Sequence, residues 1–207
     1  RKSRRKSLRV LLKHCRRDRR DGVSSQMNIL VVTAPTDNSW RIAELINAAH
    51  AAANGRPSRI SVLSTGDAFD ESATKGADYV YRISAPLSNG FYHDEFIHVV
   101  DTACATLTPT LVLFTGDTLG LHVAPRLAAR WRAAYISGCC GFEHATPDGL
   151  NFIRPVYGGK ALEVVESPTS LTVVTIKSKA FLNADRRPAD VNVQTLEVPK
   201  PWPPTSG

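Results

Sequence analysis

Cysteine is scarce and shows no pattern. Cys15, Cys104, Cys139 and Cys140 are the only four in 207 residues. None is spaced Cys-x-x-Cys, and four are too few to staple a chain of this length, so a disulfide framework is not supported and a reducing compartment is the default. Long apolar runs are missing as well. Nothing approaches the roughly eighteen consecutive apolar residues of a membrane helix, and the basic leader has no long apolar core, which argues against both a span and a secretory signal. No Gly-x-Gly-x-x-Gly follows the first apolar run, so a dinucleotide fingerprint of the dehydrogenase type is absent. There is also no Gly-x-Ser-x-Gly elbow, and no carboxylate pair whose spacing compels acid and base roles. Methionine occurs once, at Met27.

Basic charge is plentiful, but only at one end. Of 26 Lys and Arg, eleven fall in residues 1–22 against Asp18 and Asp21, a net +9; the remainder holds 15 basic and 17 acidic residues, a net −2. The folded part is therefore not basic, and neither a nucleic acid nor a membrane is expected as its partner. The leader, residues 1–26, is too charge-dense for a core element and reads as disordered. It fits an upstream extension or cloning artefact, an Arg-rich transit peptide, or a nucleic-acid arm. Met27, directly before the first strand, is the favoured natural start, and deleting residues 1–26 is expected to leave thermal stability unchanged. Cytoplasmic localisation follows, with the mitochondrial matrix as the alternative.

From Asn28 onward the pattern alternates. Ile29 to Val32 is a continuous apolar run suited to a parallel strand covered on both faces, and Pro35-Thr36-Asp37-Asn38-Ser39 closes it with helix-start chemistry. A helix over Trp40 to Ala53, a strand over Ile60 to Leu63, a short helix near Ala68 to Thr74 and a strand over Tyr79 to Ile83 follow. Tyr92 to Leu107 puts Phe96, Val99, Val100 and Ala103 on one helical face. Leu111 to Ile136 then reads as a buried strand, a Gly116-Asp117-Thr118 loop, a helix and a second strand. Pro125 predicts a first turn near Leu119 to Val123, then a kink or a fresh start. Right-handed crossovers between such strands give an α/β fold with a mostly parallel sheet and helices on both faces. After Ile136, segments Phe142 to Ala145, Leu150 to Val156, Lys160 to Glu166 and Leu171 to Ile176 are spaced as antiparallel hairpins, predicting a closing β-meander. The domain is bounded at 27–182, and 183–207 is expected as an extended Pro-rich tail.

Candidate chemistry is sparse. Gly158-Gly159-Lys160 resembles the end of a phosphate loop, but Arg154 stands where an earlier Gly is needed and Ala161 where a Ser or Thr is needed, so a tight hairpin turn is the better reading. His93 and His98 lie five apart, on different helical faces, with no third ligand at metal spacing; no metal site is expected. Cys139-Cys140 reads as packing. The Gly116, Asp117, Thr118 loop is the best placed, because it lies where a strand of an open α/β sheet ends: its side chains suit capping of the next helix, and backbone N–H groups there suit an anion. No catalytic residue is assigned.

Three segments carry a resemblance. Ala124-Pro125-Arg126-Leu127-Ala128-Ala129-Arg130 is similar to the Leu-Pro-Arg-x-Ala-Ala-x-Leu segment of the electron transfer flavoprotein α subunit. Phe152-Ile153-Arg154-Pro155-Val156-Tyr157-Gly158-Gly159-Lys160-Ala161 resembles its Phe-x-Arg-Pro-x-Tyr-Ala-Gly-Asn-Ala, and Val174-Thr175-Ile176-Lys177-Ser178-Lys179-Ala180-Phe181 its Thr-Val-Arg-x-x-Ala-Phe. The match covers Met27 to about Phe181 and the amino-terminal α domain only. Gly158-Gly159-Lys160 in place of Ala-Gly-Asn, and Gly138 in place of an Asp, depart from the family pattern.

The resemblance implies a Rossmann-like, three-layer domain finished by antiparallel β-hairpins, packed against a β-like subunit as a heterodimer. It also implies FAD in the assembled complex, held mainly by a second domain, with a separate flavin-binding domain as a further candidate partner. No cofactor-binding residue is carried over, and none is expected in this domain alone. Arg126, Arg154 and Tyr157, inside the matched motifs, are the candidate partner residues. The functional expectation is a scaffold of an electron carrier between dehydrogenases and the respiratory chain, not an enzyme in its own right. The alternatives are a stand-alone adenine-nucleotide-binding domain and a truncated, inactive relic.

Overall fold

The computed structural model describes residues 26–65, 71–84, 87, 93–144, 149–182 and 191–199; residues 1–25 of the leader and the short helix start at residues 68–70 lie outside them. Strand β1 (Met27–Thr33) forms from the first apolar run. Its alternate side chains divide between the two faces of the sheet: Ile29 and Val31 join one core cluster, Leu30 and Val32 the other. A strand apolar at every position is what two covered faces require, since successive residues point opposite ways. Each such Ile, Leu or Val contributes roughly 1.5–3 kcal/mol of burial.

Helix α1 (Ser39–Ala53) starts where Asn38 accepts the Arg41 N–H and stops where Asn54 turns left-handed at φ 47°. It lies on the first face, with Leu45, Ile46, Ala49 and Ala52 packed in. Strand β2 (Ser58–Ser64) pairs parallel with β1, and β3 (Tyr79–Ile83) with β2. Helix α2 (His93–Leu107) carries the chain across the opposite face to β4 (Leu111–Thr115), which pairs parallel with the other side of β1. Helix α3 (Thr118–Trp131) returns on that same face to β5 (Ala134–Cys139). Right-handed crossovers explain the arrangement: helices change face when the winding direction along the sheet reverses, and here it reverses between β1 and β4.

Three features differ from the sequence expectations. First, β6 (Gly141–Glu143), β7 (Asn151–Val156) and β8 (Ala161–Glu166) form the expected antiparallel hairpins, but the next strand leaves them. Strand β9 (Thr172–Ile176) enters the main sheet parallel to both β4 and β5. Its residues TVVTI are all buried, so a doubly covered site suits it better than the edge of a small sheet. Second, Asn192–Leu196, inside the stretch read as an extended tail, is strand β10, parallel to β3 at the edge of the sheet. The seven-stranded order is β10-β3-β2-β1-β4-β9-β5. Third, α3 is one continuous helix with Pro125 inside it, so the fresh start at Pro125 does not occur. Proline leaves the carbonyl four residues back, that of Leu121, without its intrahelical donor, and Leu121 is an exposed residue.

The small sheet seats its inner side on the α1 face. Phe152 is buried there, with the Phe142 ring 5.8 Å away and Phe181 5.4 Å beyond Phe142. The chain turns from β7 to β8 through Tyr157, Gly158 and Gly159, at φ 51°, 68° and 89°. Two glycines make that left-handed run affordable, which is the hairpin reading of Gly158-Gly159-Lys160.

Candidate functional site

At the winding reversal the loops after β1 and β4 lie side by side, the crevice position of an open α/β sheet. Two glycines allow the chain to pass there. A Cβ on Gly120 would run into the Thr115 carbonyl, and one on Gly116 would stand 2.5 Å from the Ile176 carbonyl of β9. The first turn of α3 thus folds back onto the end of its own strand, and the loop presses on the neighbouring one.

Asp117 sits at this junction with two partners. Its Oδ1 accepts the Gly120 N–H at 3.0 Å, capping α3, and its Oδ2 accepts from Arg41 Nη1 at 2.7 Å. Arg41 comes from the first turn of α1, so one ion pair joins the starts of two helices on opposite faces of the sheet. The guanidinium also lies over the half-exposed Trp40 ring, 5.5 Å from its centroid. Asp37 completes the group. Its Oδ2 accepts the Ala34 N–H at 2.7 Å, and its Oδ1 is 3.8 Å from Arg41 Nη1. The side chain is 1% exposed, and Oδ1 has no hydrogen-bond donor. Burial pushes its pKa from an ordinary 3.8 up to about 6, reinforced by the Asp117 charge and opposed by the Ala34 N–H and by Arg41.

The structure places the Gly116-Asp117-Thr118 loop at this crevice, and the Gly120 N–H at the start of α3 meets Asp117's own carboxylate. An anion there would have to displace that cap. The other three candidates are not brought together. Arg126 is on α3, paired with Asp94 of α2 at 2.7 Å, on one face of the sheet; Arg154 and Tyr157 are on the hairpin over the other. Arg154 Nε donates to Glu163 Oε2 at 2.7 Å, and Tyr157 is 82% exposed. In the sequence Asp37 is marked only as helix-start chemistry, and Arg41 carries no signal of its own. No local signal marks the Arg41–Asp117 pair, because the two are 76 residues apart.

Cys139 is buried, its Sγ donates to the Gly141 carbonyl, and desolvation pushes its pKa to about 11; burial raises Cys104 as well. Neither supplies a thiolate at neutral pH. The His93 ring meets His122 edge-on at 5.7 Å, and His98 lies 3.4 Å from the Pro199 carbonyl. Among the described residues no cluster of three metal-ligating side chains occurs, and no helix is long and apolar enough to cross a membrane.

Comparison with known proteins agrees with the fold. Residues 42–201 match the family described as the electron transfer flavoprotein domain. Over 165 residues, 76% of this chain, it is 28% identical to the lactate dehydrogenase (NAD(+),ferredoxin) subunit LctC of Acetobacterium woodii. It is 25% identical over 93 residues, 45% of the chain, to the electron transfer flavoprotein subunit alpha of Thermoanaerobacterium thermosaccharolyticum, and 30% identical over 102 residues, 49% of the chain, to that of Bacillus subtilis. The aligned regions span 40%, 28% and 31% of those relatives' own lengths. With a parallel sheet capped by a hairpin layer and a family match over well more than half its residues, the chain belongs to the electron transfer flavoprotein domain family.

Proposed function

We propose that the chain acts as the amino-terminal, α-subunit-like scaffold of an electron carrier: it packs with a β-like subunit, and FAD is held in the assembled complex rather than by this domain. The observation that carries this reading is the family match over residues 42–201, supported by relatives named as α subunits. The described residues suit a scaffold. The buried thiols are held neutral and the crevice charges are paired with one another, so the protein's contribution is position and environment for a flavin's chemistry.

The partner surface we favour is the hairpin layer. Tyr157 lies at its turn, and the strand register puts Ile153 and Val164, and Pro155 and Leu162, opposite one another on the sheet face turned away from Phe152, while Arg154 and Glu163 alternate onto the Phe152 side. Leu162 is 66% and Val164 52% exposed, more apolar surface than one small sheet needs to leave in water. The similarity to LctC favours a second reading, in which the scaffold serves inside a dehydrogenase complex and not as a freely diffusing carrier.

Co-expression of residues 1–207 with β-like subunits, followed by purification and flavin spectroscopy, tests the proposal. Co-purification that weakens on Leu162→Asp while the variant keeps its circular dichroism supports both the role and the surface. Failure to retain any β-like subunit rejects the role. Binding unaffected by Leu162→Asp rejects the surface alone. Electron delivery only when a dehydrogenase subunit co-purifies selects the second reading.

A further inference from the structure

One side chain ties the two loops that flank the crevice, and two carboxylates compete for it. Arg41 Nη1 is 2.7 Å from Asp117 Oδ2 and 3.8 Å from Asp37 Oδ1. The two acids are in unequal circumstances. Asp117 is committed on its other oxygen to the Gly120 N–H, and its side chain is 19% exposed. Asp37 is committed on one oxygen to the Ala34 N–H, while the other is buried and lacks a donor. A buried carboxylate oxygen with an empty hydrogen-bonding position is costly when charged and tolerable when neutral.

We propose that Asp37, Arg41 and Asp117 form a proton-operated clamp between the β1–α1 and β4–α3 loops. With Asp37 protonated, Arg41 belongs to Asp117 and the loops are held together. With Asp37 ionised, its Oδ1, which has no hydrogen-bond donor and stands 3.8 Å from Arg41 Nη1, draws the guanidinium away from Asp117, and the bridge across the crevice loosens. The proton is exchanged with solvent and no bond other than O–H changes. Among the described residues, the charged groups acting on Asp37 are Arg41 from α1 and Asp117 from the β4–α3 turn, and Lys177 follows β9 beside Gly116. Burial places the change of state near pH 6, inside the range a cell can reach. The clamp is independent of the proposed carrier role, since it requires neither a partner nor a flavin.

The test uses the full chain. Side-chain carboxyl NMR from pH 4 to pH 8 gives the Asp37 midpoint, and amide hydrogen exchange of Gly120, corrected for its intrinsic rate, reports the Asp117 cap. The clamp requires an Asp37 midpoint near 6 and a fall in Gly120 protection, on the order of tenfold, with the same midpoint. Asp37→Asn, which stays neutral, removes the step and keeps Gly120 protected at both ends. Arg41→Gln removes the step and leaves Gly120 poorly protected throughout. An Asp37 midpoint in the ordinary carboxylate range, or a Gly120 step that survives in Asp37→Asn, overturns the proposal. If neither variant folds, the wild-type curves decide: two midpoints that do not coincide also overturn it.

Discussion

Asp37 shows how one residue makes stability depend on pH. Its folded pKa, about 6, lies above the 3.8 of an ordinary aspartate, so the native state holds the proton more tightly than the unfolded chain does. The stability associated with that proton is fully present below about pH 3.8, declines as pH rises towards 6, and is lost above it. The size is roughly 3 kcal/mol as an upper limit. We predict that Asp37→Asn is close to wild type in urea unfolding near pH 4 and more stable by about 1–3 kcal/mol at pH 7.5. Equal stability of the two proteins at both pH values would contradict the burial argument. Gly120 makes a steric point in the same region. A side chain there meets a backbone carbonyl that cannot swing away, so Gly120→Ala should cost at least about 2 kcal/mol, read as a lower thermal midpoint. A neutral result would mean that the first turn of α3 is free to lift off Thr115.

Helix α3 tolerates a proline because of where its face points. Val123, Ala124, Leu127 and Ala128 are buried, whereas Leu121, whose carbonyl Pro125 leaves without an intrahelical donor, is 48% exposed. Packing keeps the helix continuous through a position that its local chemistry disfavours. Asp101 of α2 reinforces this by accepting from Trp131 Nε1 at 2.6 Å and Arg130 Nη1 at 3.1 Å. We predict that Pro125→Ala, which restores an N–H able to reach the Leu121 carbonyl, raises stability by about 1 kcal/mol, the gain being cut by the greater freedom of the unfolded chain. Chemical denaturation measures it, and a loss of 1 kcal/mol or more would show that the Pro125 ring is itself part of the packing. On the other face, Asn47 and Glu44 of α1 bond the backbone of Phe181, tying the segment after β9 to a helix more than 130 residues earlier.

At the scale of the whole molecule, the sheet is completed from distant parts of the chain. Strand β10 is polar and largely exposed, and Leu196, 6% exposed, is its main apolar anchor beside the edge strand β3. Leu196→Ala should lower stability by about 2 kcal/mol and speed exchange of the Ser84 amide, which donates to the Leu196 carbonyl at 3.0 Å. Unchanged exchange at Ser84 would mean that the edge strand docks without its anchor. Strands β1 to β4, helices α1 to α3 and the Gly158-Gly159 turn were legible in the sequence, because period, caps and turn residues are local properties. The place of β9 was not legible: TVVTI reads equally well as a hairpin strand, and only the gap between β4 and β5 selects the parallel site. The candidate site divides in the same way. Asp117 as a helix cap could be read from a Gly-Asp-Thr loop after a strand, and the family from three short motifs. That Arg41 reaches Asp117, that Asp37 is sealed beside them with one oxygen unpartnered, and that Arg126 lies on the opposite face from Arg154 and Tyr157 were decided by tertiary structure, because sequence specifies each residue's own backbone neighbourhood while winding about the sheet determines which distant loops meet.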